Sequence, residues 1–341
     1  MISRRKVFYP VSDAMREYLA HSGRNSDIPL VYDDLLRFTG SIPYENPAGE
    51  ETLWLEVMYP PEVMAELRPK LTGIYATLKI GGDLSMTEHL SVERIDFGEF
   101  GNSRPFRIRI TNLFNGNSDY YYVKHADASR LFGLELEHTL SPNRINYLVN
   151  GNTLIEEHIA GVPGDVFIRD YLVDPALNNV RIAKEFVKFG ERCFLRLLGD
   201  MRTVNYVVDI TPDFEEVQYR VRPIDFDQQS YEGNLSVYRA HLFPDNKPVE
   251  ELVRTHLNDQ TILQYRAEEH SQMSRRAKVE WSRLMRLLRV MEKETLSPYE
   301  HVVSLREAFV ERYGSHAFES CETMGQLTRA HLQIVLEGKH S

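Results

Sequence analysis

Between residues 91 and 159 the apolar residues follow a period near two, while the flanking stretches follow helical spacing. Runs at 91–97, 106–111, 120–125, 145–149 and 153–159 read as strands, with one amphipathic helix over 128–139. The turns carry the signal. Asn115-Gly116 and Asn150-Gly151-Asn152 join neighbouring runs, and both residue types tolerate positive φ, as tight hairpins require. The order is β-β-β-α-β-β, followed by a long helical remainder. Strands gathered in one stretch and helices in another predict an α+β fold.

The remainder reads in the same way. Residues 1–90 predict a mainly helical accessory segment, with helices near 12–19, 32–38 and 62–78 and one strand over 53–59. Residues 178–198 place Ile182, Phe186, Phe189, Cys193, Phe194 and Leu197 at helical spacing, which predicts a buried helix. Two short β-like pieces follow, at 206–210 and 219–224. Helices are then expected over 249–257, 260–292, 298–313 and 322–337. The expected division is 1–90, 91–161 and 162–341.

Composition narrows the function classes. The chain has 341 residues, 42% of them hydrophobic, so a substantial core is available. Its net charge of −10 argues against a dedicated binder of nucleic acid or of anionic membranes. No run approaches the ~20 apolar residues of a membrane span, and the first residues lack a signal-peptide core, so a cytoplasmic protein is expected. Cys193 and Cys321 are far apart and form no CxxC pair, which excludes a zinc ribbon and predicts buried, reduced thiols.

One stretch carries chemistry. Asp200 and Asn205 lie five apart just after the buried helix, and Asp225 follows the second β-like piece. This is a layout for phosphotransfer. One carboxylate orients or deprotonates an acceptor hydroxyl, while an amide oxygen and a second carboxylate supply hard ligands for magnesium. Asp174 and Asn179 repeat the spacing, but no buried helix precedes them and no strand–Asp-Phe-Asp follows, so they read as loop and cap residues.

Gly199-Asp200-Met201-Arg202-Thr203-Val204-Asn205 resembles the catalytic loop of the protein-kinase-like fold. Ile224-Asp225-Phe226-Asp227 is similar to its metal-binding element. The likeness is nearest to the aminoglycoside and choline phosphotransferases, and its motifs fall within residues 91–240. It implies a bilobal protein with an antiparallel-sheet N-lobe, a helical C-lobe, and ATP and Mg2+ as cofactors. It implies Asp200 as catalytic base and Asn205 and Asp225 as metal ligands.

The same resemblance implies a phosphate-contacting lysine at Lys124, with a carboxylate partner on the next helix. Glu135 and Glu137 are the candidates there, and Glu135 is preferred. Residues 155–161 match the hinge, where the backbone of Glu157 and Ile159 would meet the adenine. Gly98 and Gly101 fall where a phosphate-covering loop belongs, although a plain hairpin connection explains them equally well.

Two departures stand out. Leu198 replaces the usual histidine, and Asp227 replaces the usual glycine. The expected activity is phosphotransfer from ATP to a hydroxyl of a small molecule, with a protein acceptor possible. Two alternatives stay open: a catalytically inactive nucleotide-binding or protein-interaction module, and an AMP-transferring enzyme. Neither the acceptor nor the oligomeric state is readable from these residues.

Overall fold

In the computed structural model, the described residues are 6–27, 29–45, 49, 51–79, 84–99, 102–213 and 217–337. The fold is α+β. The chain divides into two compact units, Met1–Asp127 with Ile145–His158, and Ala128–Arg144 with Ile159–Ser341.

The first unit is built on a seven-stranded antiparallel sheet in the order β1-β2-β3-β4-β5-β7-β6. Its strands are β1 (Gly40–Glu45), β2 (Glu51–Met58), β3 (Leu90–Gly98), β4 (Phe106–Asn112), β5 (Ser118–His125), β6 (Tyr147–Asn150) and β7 (Thr153–Glu157). Two helices accompany it, α1 (Asp13–His21), capped by the Ser12 hydroxyl, and α2 (Pro61–Lys79). Leu67, Leu71, Ile74 and Leu78 of α2 bury against Ile95, Phe97, Phe106, Ile108 and Tyr121 of the sheet, forming one core.

Much of this agrees with the sequence reading, with β1 as an addition at the start. Residues 1–90 contribute two strands to the sheet. The expected strand over 53–59 is β2, and β1 pairs with it from the outside. β1 carries Pro43, which an edge strand tolerates because one side of its ladder is unpaired, and most of its residues are exposed. An exposed strand containing proline has no hydrophobic alternation to detect. The expected helix at 32–38 is a short 3₁₀ turn over Tyr32–Leu36.

The second unit is mainly helical. It comprises α3 (Ala128–Leu140), α4 (Gly164–Val166), α5 (Asn179–Arg196), α6 (Lys247–His256), α7 (Asp259–Val279), α8 (Trp281–Met291), α9 (Tyr299–Tyr313) and α10 (Met324–Glu337). A three-stranded sheet, β10-β9-β8, joins Val217–Pro223, Tyr206–Pro212 and Val162–Pro163. The single helix expected over 260–292 is broken at Glu280 into α7 and α8. Its buried residues Met273, Ala277, Leu284, Leu288 and Met291 keep one helical phase across the break, so periodicity does not reveal it. Both cysteines are free and buried. Among the described residues no helix is long and apolar enough to cross a membrane.

Candidate active site

The end of α5 sets the site. Asn178 caps its start, and its buried face ends at Leu197, which adopts the left-handed conformation at φ 56°. Glycine usually takes that place because a side chain there costs on the order of 1 kcal/mol or more. Asp200 follows at φ 57° and Ser230 at φ 49°, so three of the four non-glycine residues with positive φ among the described residues lie on two facing segments. The two segments are stitched together. Ser230 N–H donates to Leu197 O at 2.8 Å, Gly199 N–H to Gln228 O at 3.2 Å, and Leu198 forms an isolated β-bridge with Gln229. Gly199 is tightly packed, since a Cβ there would sit 3.0 Å from Val237 Cγ1 and 3.3 Å from Gln228 O.

This stitching fixes the loop from Gly199 to Asn205. Arg202 N–H donates to Asp200 O at 2.8 Å, and the Asn205 side-chain amide donates to the same oxygen at 2.7 Å and to Asp200 Oδ2 at 3.4 Å. Those bonds use the Asn205 nitrogen and leave its Oδ1 without a hydrogen bond among the described residues. Ile224 N–H donates to Asn205 O at 2.9 Å, which carries the β9–β10 hairpin directly into Asp225. Asn246, fully buried, braces the loop from behind by donating to Met201 O at 2.8 Å and accepting from the Tyr206 hydroxyl at 2.8 Å. Asp200, Asn205 and Asp225 therefore belong to one hydrogen-bonded region. Asn246 is an addition that sequence reasoning missed, because a lone asparagine in a polar loop has no distinguishing pattern.

Electrostatics distinguish the carboxylates. Burial pushes the Asp200 carboxyl up to about 6, and Asp225 pushes in the same direction, while Arg202 at 3.2 Å opposes them. Asp225 and Asp227 share one cation. Arg130 of α3, itself buried, places Nη2 2.5 Å from Asp225 Oδ1 and Nε 2.8 Å from Asp227 Oδ1. Its helix lies close because Gly133 has no side chain, and a Cβ there would meet Phe226 at 3.0 Å. No sequence signal marks Arg130.

The remaining predicted residues have partners of their own. Lys124 forms a buried ion pair with Glu156 in the first unit. Lys124 pairs with Leu154 across the ladder, so Glu156 is its diagonal neighbour on the same sheet face. Glu135 is fully buried and takes a two-pronged contact from Arg283, at 2.9 and 2.8 Å, while Glu137 pairs with the buried Arg196. Glu157 N–H donates to Asn146 O at 3.1 Å, and its carboxylate accepts from the Asn146 N–H at 2.7 Å. Ile159 is buried and belongs to the second unit. Gly98 closes β3 with its N–H on Pro105 O at 2.8 Å. Gly101 lies outside the described residues.

A magnesium ion can be tested against these donors. Among the described residues no group of three or more histidine, cysteine or carboxylate side chains could hold a metal by itself. Magnesium does not demand one, since it commonly takes one or two protein oxygens and completes its shell with water and phosphate oxygens. The unused Asn205 Oδ1 and the Asp225 carboxylate are hard donors of the type magnesium takes, and Asp225 Oδ1 also meets the Arg130 guanidinium.

No protein-family model matches the chain, and no curated protein matches it.

Proposed function

We propose that the protein is an ATP- and Mg2+-dependent phosphotransferase acting on a hydroxyl, built on a bilobal kinase-like fold. The observation that carries this reading is the Asp200–Asn205 loop, strained at Leu197 and Asp200 and tied to the segment bearing Asp225. Backbone strain of this kind persists only where the surroundings over-determine it, and it gathers at active sites. Asp200, its carboxyl raised to about 6, would accept a hydrogen bond and then the proton of the acceptor hydroxyl near neutral pH. Asn205 and Asp225 would hold the metal, which when bound offsets the charge of the phosphates. Asn205 also positions Asp200 through its amide nitrogen, so one side chain would serve both groups. Lys124 enters as the phosphate contact implied by the resemblance, and in its own unit its charge is held by Glu156.

The test is turnover of ATP by the purified full chain, followed by mass spectrometry of the products. Loss of turnover in Asp200→Asn, with the fold retained, supports the reading, and undiminished turnover refutes it. A mass gain of one phosphate on the acceptor marks phosphoryl transfer, whereas a gain of AMP marks the nucleotidyl alternative.

A second reading is favoured by one observation. Arg130 already supplies positive charge to Asp225 and Asp227, and Leu198 stands where a histidine is usual. A non-catalytic kinase-like module would be held together in this way without metal. Magnesium-independent binding of ATP, with no turnover, would support it.

A further inference from the structure

A cavity of about 530 Å³ opens in the second unit, and none of Asp200, Asn205 or Asp225 lines it. Its volume lies in the range of small-molecule sites. Phe194 of α5, almost fully buried, forms part of its wall. Two guanidinium groups lie over this ring, Arg239 at 5.4 Å and Arg312 at 5.1 Å from the centroid. Neither has a carboxylate partner within ion-pair distance among the described residues. The carboxylates of the cavity are already engaged: Glu191 by His270 at 2.6 Å and Arg266 at 3.5 Å, and Glu250 by Arg254 at 3.2 Å.

In a chain of net charge −10, two arginines gather around one ring with no carboxylate at ion-pair distance, and Glu191 of the same cavity offsets only part of the charge at Arg239. The two arginines also oppose each other: burial first, then the Arg312 and Arg266 charges, holds Arg239 below the usual guanidinium range. A guanidinium stacked on an aromatic face keeps its in-plane N–H fork available, and that fork matches carboxylate and phosphate oxygens. Apolar residues also line the cavity, Phe186, Val253 and Ile262 among them.

We propose that this cavity binds a small amphipathic anion, its carboxylate or phosphate head held by Arg239 and Arg312 and its apolar body lying against Phe186, Val253 and Ile262. The proposal does not depend on phosphotransfer at Asp200.

Calorimetric titration of the full chain with octyl phosphate, octanoate, octanol and inorganic phosphate tests it. At least one of the two amphipathic anions should bind with one-to-one stoichiometry, and the tighter one identifies the head group. Octanol and inorganic phosphate should each bind about tenfold more weakly or worse, because each lacks half of the recognition. The double variant Arg239→Gln/Arg312→Gln should lose about tenfold or more in affinity for the better anion. Arg312 is exposed, so Arg312→Gln alone carries the test if the double variant does not fold, and it should weaken the same anion severalfold. Absence of binding by both anions, equal binding of octanol, or unchanged affinity in the arginine variants would overturn the proposal.

Discussion

Arg130 Nη2 lies 2.5 Å from Asp225 Oδ1, so the carboxylate proposed to ligate magnesium already faces a cation carried by α3. The same guanidinium reaches Asp227 at 2.8 Å. Removing it sets two neighbouring carboxylates against each other. Arg130→Met should therefore destabilise the protein by about 3 kcal/mol, the usual scale for breaking a buried ion pair from one side. If Asp225 is a metal ligand, Mg2+ should recover more stability in this variant than in the unmodified chain. Thermal melts with and without Mg2+ check both statements, and equal recovery in the two proteins would speak against a metal at Asp225.

Asp200 gives a pH prediction with a definite sign. Its folded carboxyl is raised from 3.8 to about 6, so the folded state keeps a proton that the unfolded chain releases. The associated stability is fully present below about pH 4 and is lost as pH rises through about 6. Above that, Asp200 destabilises the fold, by about 1–2 kcal/mol once its partial solvent contact is discounted. Asp200→Asn should thus be more stable than the parent at pH 7.5, with a smaller advantage at pH 5. ATP turnover by the parent should climb with pH through about 6 as the base ionises. Denaturant midpoints at the two pH values, together with a pH–rate profile, test the pair.

How far these features were legible depended on what kind of contact made them. The strands β3 to β7 announce themselves, because hydrophobic alternation and Asn-Gly turns are local, whereas the two-residue β8 is too short to show any period. The spacing of Asp200, Asn205 and Asp225 is visible because the loop and hairpin that join them are consecutive in the chain. β1 was hidden by its exposure and its proline, and the break at Glu280 by an apolar stripe that runs through it. The cations were the least legible. Arg130 reaches residues 95 and 97 positions away, and Glu135 meets Arg283 across 148 positions. No periodicity or short motif records a pairing at that range.

Asn205 holds Asp200 and is proposed to ligate the metal, and a single substitution separates the second role from simple unfolding. Asn205→Ala removes the donor to Asp200 O and should cost about 1 kcal/mol of stability. Turnover of Mg·ATP should fall about 100-fold, much more than this small loss of stability explains. Equal turnover in a variant with the expected melting shift would confine Asn205 to a structural part.

His331 predicts a separate acid sensitivity. It is fully buried among Phe194, Phe309 and Tyr313, with Nε2 2.9 Å from the Tyr313 hydroxyl, and burial drives its pKa down to about 3. The unfolded chain takes up a proton at about 6.5 that the folded state refuses, so stability falls as pH drops from 6.5 toward 3. His331→Phe keeps an aromatic ring and forgoes the Tyr313 hydrogen bond, costing about 1 kcal/mol at neutral pH. Its stability should decline less between pH 7 and pH 4.5 than that of the parent, as measured by chemical denaturation. A parallel decline would show that His331 is not the group responsible.

The central claim is that Asp200, Asn205 and Asp225 form a magnesium–nucleotide site, and ligand-linked stability measures it most directly. A ligand that binds only the native state at about 100 times its Kd raises stability by about 2.7 kcal/mol. Thermal unfolding of the full chain with ATP and Mg2+ together should show such a rise, ATP alone should give a smaller one, and Asp225→Asn should lose the magnesium-dependent part. No rise with Mg·ATP in the unmodified chain, or an undiminished magnesium effect in Asp225→Asn, would contradict the account.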